Sequence, residues 1–127
     1  MKKCKILAIN PGSTSTKIAI FENQKEIFVK NIRMTDEEYL KYRTIEQQFE
    51  HRLELIKSVL SQNGFDISDL SCVVGRGGML PSIKTGGYKV NQTMVDLVFK
   101  NELSPHASNL GSVLAYAIAE PLGIPSY

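Results

Sequence analysis

The hydrophobic pattern changes period once along the chain, and that change limits the folds open to it. Before Thr35 the apolar residues come in three short runs. Lys5 to Asn10 (KILAIN) reads as a central strand, Thr16 to Glu22 as a second strand, and Glu26 to Lys30 (EIFVK) as a third. Pro11-Gly12 and Asn23-Gln24 separate the runs, and short strands joined by tight turns make an antiparallel meander. Beyond it, Ile45, Phe49, Leu53, Ile56 and Leu60 recur at helical spacing, with Glu46, Glu50 and Lys57 among the intervening positions. Thr35 followed by Glu38 fits a capping box, and Asn63-Gly64 supplies a stop. Leu70 to Val74 is then a fourth strand, parallel to the meander through a right-handed crossover. Asn91 is placed to cap a helix through Lys100, and a last helix is expected from about His106 to Pro121. Leu122 to Pro125 reads as the approach to another strand.

The resulting order, β-β-β-α-β-α-α, predicts an α/β fold: a ribonuclease-H-like mixed sheet, a three-strand meander plus a parallel strand, flanked by helices. At 127 residues, 43% hydrophobic and 22% charged, the chain is one ordinary globular domain. Disorder, collagen and coiled coil do not fit. A net charge of +2 is too small to point to nucleic acid or a membrane surface. Near the N-terminus the longest apolar stretch is Ile6 to Ile9, far short of the ~20 residues of a spanning helix. The expectation is a cytoplasmic protein. Cys4 and Cys72 form no disulfide framework or zinc site. Free buried thiols are the expectation; both cysteines fall at strand starts, which allows them to be neighbours, and the cytosol would keep them reduced.

Three stretches carry candidate chemistry. Asn10-Pro11-Gly12-Ser13-Thr14-Ser15-Thr16-Lys17 packs four hydroxyls, an amide and a lysine around a glycine, between the first two strands. Hydroxyls and exposed N–H groups donate to phosphate oxygens, and a lysine adds mobile positive charge. No second glycine precedes Lys17, so this is not a P-loop. A plain polar hairpin uses the same residue types. Arg76 lies just past the fourth strand with a glycine on either side, where ligands collect in open α/β sheets; its guanidinium suits a planar grip on a carboxylate or phosphoryl group. A surface arginine in a loop is the plainer alternative. His106 with Ser108 and Asn109 opens the last helix, where anions are favoured, although a histidine there is often only solvated. His51 falls on the polar side of the long helix and receives no role. Asp36, Glu37 and Glu38 suit a helix first turn, and no carboxylate cluster suggests a two-metal site.

The run ILAINPGSTSTKIAIF resembles the opening of butyrate kinases and, more loosely, of acetate kinases, in the acetate and sugar kinase, Hsp70 and actin superfamily. Val73-Val74-Gly75-Arg76-Gly77-Gly78, Gly86-Gly87-Tyr88-Lys89-Val90-Asn91 and His106-Ala107-Ser108-Asn109-Leu110-Gly111 agree with the same family, in order. The resemblance implies an actin-like ATPase domain, with residues 1–127 as the N-terminal acyl-substrate and phosphate-binding domain of a two-domain kinase. It implies ATP and ADP with Mg²⁺ as cofactors, and a short-chain fatty acid or its acyl phosphate as partner. Asn10, Ser13, Ser15 and Lys17 would face nucleotide phosphates. Arg76, His106 and Asn109 would face the acyl phosphate, with Arg76 and His106 in catalytic roles. No protein ligand for Mg²⁺ is indicated, and a homo-oligomer of the complete enzyme is compatible with the resemblance. Alone, the chain is expected to be a catalytically silent fragment. A ribonuclease-H-like nuclease would need an aspartate where the first strand ends in Asn10. A non-catalytic binding or scaffold module of the same fold would share every feature of this region.

Overall fold

A computed structural model describes residues 3–77, 84, 86–100 and 107–127. His106, Gly78 and most of the stretch from Pro81 to Thr85 lie outside the described residues. The meander is present: β1 (Lys5–Pro11), β2 (Ser15–Glu22) and β3 (Lys25–Arg33) pair antiparallel. The turn between β2 and β3 is held by Asn23, with φ 56°, whose N–H donates to the Cys4 carbonyl at 2.7 Å. Strand β4 (Cys72–Gly75) pairs parallel to β1, in the sheet order β3-β2-β1-β4. The approach to a further strand is also there. Ser126 bridges Val73 in parallel, and the Tyr127 N–H donates to the Val73 carbonyl at 2.9 Å.

The single long helical pattern resolves into two helices. Helix α1 (Asp36–Lys41) has the expected Thr35–Glu38 capping box, but a second box, Thr44–Gln47, restarts the chain as α2 (Ile45–Gln62). Gly64 stops α2 at φ +80°, a conformation open to glycine without strain. Helices α3 (Gln92–Phe99) and α4 (Leu110–Ala119) follow, α4 entered through a 3₁₀ turn at Ala107–Asn109.

One core joins these elements. Leu7, Ile9, Ile18, Ile20 and Val73 from the sheet meet Ile56 and Leu60 of α2, Val98 of α3, and Leu110, Val113, Leu114 and Ile118 of α4. Complete burial of such side chains contributes about 1.5–3 kcal/mol each. Helix α4 is apolar on nearly every side because it lies against β1 and β4 with α2 and α3 beside it. These helices gather on one face of the sheet. On the other, Val29, Ala19, Ala8 and Val74 line up across the strands. Val29 and Val74 there are 46% and 37% exposed.

The α1–α2 corner is tied by Glu38. Its carboxylate accepts from the Thr35 N–H at 3.2 Å and pairs with His51, whose ring stacks on Tyr42 with centroids 4.1 Å apart. The Thr35 N–H bond leads in holding the Glu38 carboxyl below its ordinary value of 4.5, with His51 adding to it. A carboxyl whose pKa is lower folded than unfolded stabilises above its unfolded pKa and loses that contribution as pH falls through the folded value. Acid below about pH 4.5 is therefore expected to loosen this corner. The contribution is under ~1 kcal/mol because the pair is solvent-screened. Glu38→Gln should flatten that limb of a melting-temperature profile against pH, and an unchanged profile would contradict the assignment.

Candidate active site

Alternation along β1 and β2 aims the site residues. Leu7 and Ile9 enter the core, so Ala8 and Asn10 take the opposite face; Ile18 and Ile20 do the same for Lys17 and Ala19. Register sets Asn10 opposite Lys17. Across β1, Ile9 pairs with Gly75, and the Arg76 N–H continues the ladder to the Ile9 carbonyl at 2.9 Å. Arg76 thus follows beside Asn10, with Nη1 3.5 Å from Asn10 Oδ1, a long contact that leaves the guanidinium available. Asn10, Lys17 and Arg76 share a cleft of about 290 Å³ with Ala8, Val29 and Glu26. Glu26, a carboxylate on edge strand β3, is brought there by strand pairing alone.

The hairpin from Gly12 to Ser15 closes this end of the sheet. Gly12 N–H donates to the Ser15 carbonyl at 2.7 Å, and Met34 N–H donates to the Thr14 carbonyl at 2.8 Å. Beneath the turn lies Arg52 of α2, 0% exposed. Its Nη1 donates to the Ser15 carbonyl at 2.9 Å and to Thr16 Oγ1 at 3.0 Å; Nη2 donates to the Ser13 carbonyl at 3.3 Å and to Gln48 Oε1 at 3.4 Å. Three successive turn carbonyls are thereby satisfied from within the protein. A trans peptide points its N–H away from its C=O, so anchoring the Ser13 carbonyl turns the Thr14 N–H outward. Among the described residues the N–H groups of Ser13 and Thr14 have no acceptor. Burial pulls the Arg52 pKa down, yet an arginine stays charged.

Arg52 is the residue that sequence reasoning missed. The signal was available: it stands three residues after Phe49 and four before Ile56, on the apolar stripe itself.

The remaining candidates are less gathered. Ser13 is exposed and Ser15 half-buried in the turn. Asn109 is 4% exposed, in the 3₁₀ turn that leads into α4. His106 lies outside the described residues. Gly111, the second residue of α4, touches the site through its backbone: a Cβ there would lie 2.2 Å from the Arg76 carbonyl oxygen. A Cβ on Gly75 would lie 2.1 Å from the Gly111 carbonyl oxygen. Strand β4 and helix α4 cross on these two glycines, and the crossing fixes where Arg76 begins. Cys4 and Cys72 are free but half-buried rather than buried, and the Cys72 thiol is pushed up by burial and by its neighbour Cys4. Among the described residues no group of three or more His, Cys, Asp or Glu could hold a metal ion, and no helix is long and apolar enough to cross a membrane.

This sheet order, with helices on the meander and a glycine-tight strand–helix crossing, defines a domain of the actin-like ATPase fold. YeaZ from Pseudomonas aeruginosa shares it with a TM-score of 0.54 at 11% identity, over 98% of this chain and 42% of that one. The sequence is more specific than the fold: the chain is a homologue of the N-terminal part of proteins named butyrate kinase. It is 48% identical over 123 residues to a probable butyrate kinase of Clostridium botulinum (97% of this chain, 35% of the relative). Butyrate kinase 2 of Clostridium acetobutylicum is 47% identical over 125 residues (98% and 35%), and a probable butyrate kinase of Listeria monocytogenes 40% over 122 (96% and 34%). No family model matches the chain. The chain thus spans about a third of the length of these curated relatives.

Proposed function

We propose that the chain forms the phosphate- and acyl-binding lobe of a carboxylate kinase of the butyrate kinase kind. The reaction moves the γ-phosphoryl of ATP reversibly onto the carboxylate of a short-chain fatty acid, giving an acyl phosphate and ADP. The observation that carries this is convergence: Asn10, Lys17 and Arg76, from two separate sequence motifs, line one cleft beside a turn whose Ser13 and Thr14 N–H groups have no acceptor among the described residues. That donor set fits polyphosphate oxygens. Phosphoryl transfer asks the protein chiefly for positioning and charge stabilisation. Lys17, with the Ser13 and Ser15 hydroxyls and the Asn10 amide, holds phosphate oxygens. Arg76 orients the acid's carboxylate, and the family resemblance alone gives His106 and Asn109 a role toward the acyl phosphate. Mg²⁺, when bound with the nucleotide, would supply neutralising charge, and no described residue of this chain is assigned to hold it. The reaction belongs to a protein of the relatives' length, and the 127-residue chain alone is expected to bind phosphate without turnover.

The test is a chimera with this chain in place of the N-terminal third of the Clostridium acetobutylicum butyrate kinase 2. Hydroxylamine trapping should report ATP-dependent butyryl phosphate. A folded chimera that binds ATP and phosphorylates no short-chain acid would favour a non-catalytic binding module. Within it, Lys17→Ala should lower kcat/KM by roughly 10- to 100-fold, the size of a lost charge-assisted contact. Its melting temperature should barely move, because Lys17 is exposed. A large fall in melting temperature with near-normal activity would make Lys17 a structural residue.

A further inference from the structure

We propose that Arg52 is the positioning residue of the phosphate turn: it holds the Ser13 and Ser15 carbonyls inward, so that the Thr14 N–H, on the far side of the Ser13 peptide, faces the ligand, and its positive charge is completed by the bound phosphate. The inference rests on the phosphate-binding reading of the turn.

A fully buried arginine usually faces a carboxylate, since an unpaired buried charge is costly. Arg52 faces none among the described residues. Its guanidinium partners are two carbonyl oxygens, a threonine hydroxyl and a glutamine amide oxygen, all neutral, and its Nε–H has no acceptor. Neutral acceptors leave the full charge in place. If the fold needed only to satisfy two turn carbonyls, neutral donors would do so without burying a cation. The cation sits under the one turn of the sheet that carries Lys17 at its end and open N–H groups at its tip. There it raises the potential where anionic oxygens would dock, in a low-dielectric setting where charge acts further than in water. The planar fork also matters. Arg52 divides these contacts between two nitrogens, Nη1 to the Ser15 carbonyl and Thr16 Oγ1 and Nη2 to the Ser13 carbonyl, whereas a lysine carries its three donors on one nitrogen and lacks the planar fork. Arg52 does not touch the ligand in this scheme; it acts through the backbone of residues 13–15.

Geometry and charge can be separated in the 127-residue chain itself, with inorganic pyrophosphate as probe and backbone amide resonances as readout. Wild type should bind, with the largest shifts at Ser13, Thr14 and Lys17. Arg52→Lys keeps the charge and loses the fork; Arg52→Met loses both. Affinity should fall about tenfold in the first and further in the second, the scale of a lost charge-assisted hydrogen bond, and the Thr14 amide shift should change in the absence of ligand. Either variant binding within twofold of wild type, with a native melting curve, overturns the positioning role while leaving the phosphate site intact. Wild type failing to bind while Lys17→Ala behaves identically overturns the phosphate reading, and this inference with it. If both variants unfold, the wild-type guanidinium protons decide. Pyrophosphate should slow their exchange with water, and exchange unaffected by bound pyrophosphate overturns the proposal.

Discussion

Alanine at position 111 is expected to cost on the order of 1–3 kcal/mol, the usual penalty of forcing atoms into a packed interior. The added methyl carbon would lie 2.2 Å from the Arg76 carbonyl oxygen and 3.2 Å from the Arg76 nitrogen and carbonyl carbon. All three are backbone atoms, so no side chain can rotate away. Relief requires α4 to lift from β4, and α4 carries Leu110, Val113, Leu114 and Ile118 into the core. Chemical denaturation of the chain measures the loss. Gly77→Ala is the control: nothing lies within 4 Å of a Cβ there, so its effect should stay within about 0.5 kcal/mol. Gly111→Ala as mild as Gly77→Ala would show that the crossing yields easily. In the chimera, Gly111→Ala should also raise the KM for butyrate, because the obstructed atom belongs to Arg76.

Arg76→Lys is expected to lower kcat/KM for butyrate in the chimera by about 10- to 150-fold, the equivalent of the roughly 1.5–3 kcal/mol of a charge-assisted contact. An ammonium cannot reproduce a planar two-point grip on a carboxylate. Arg76 is exposed and among the described residues makes one long side-chain contact, to Asn10. Stability should therefore hold while catalysis falls. Wild-type efficiency in Arg76→Lys would remove the bidentate role.

Much of this molecule is legible in its residues. Short apolar runs with turn residues between them specify the meander, and Thr35–Glu38 and Asn63-Gly64 mark helix ends where the structure has them. The hairpin and Arg76 motifs announce themselves by composition, and strand pairing brings both to one cleft. What escapes is set by distant contacts. The break at Tyr42 to Thr44 hides because the apolar stripe begins only at Ile45, and nothing in it shows that the Thr35 box opens a separate short helix. Glu26 reaches the cleft only through pairing of β2 with β3. Gly75 and Gly111 look like loop and helix glycines until the backbones that meet across them are seen. Arg52 reads as one more helical cation unless its place on the apolar stripe is noticed. The late start of α4, after a 3₁₀ turn, shows how poorly local pattern fixes a helix end.

The alternation in β1 and β2 makes placement of the site digital rather than graded. Leu7 and Ile9 are buried on one face while Asn10 shows on the other, and Ile18 and Ile20 stand in the same relation to Lys17. Substituting one core residue for another of similar size leaves that parity alone. Deleting or inserting a single residue in either strand reverses it, sending an amide or an ammonium toward the oily side and a leucine or isoleucine toward the cleft. The apolar residues of these strands therefore act as an address for the polar ones. Engineering that redraws the core can proceed freely by substitution, whereas any change of strand length would erase the address.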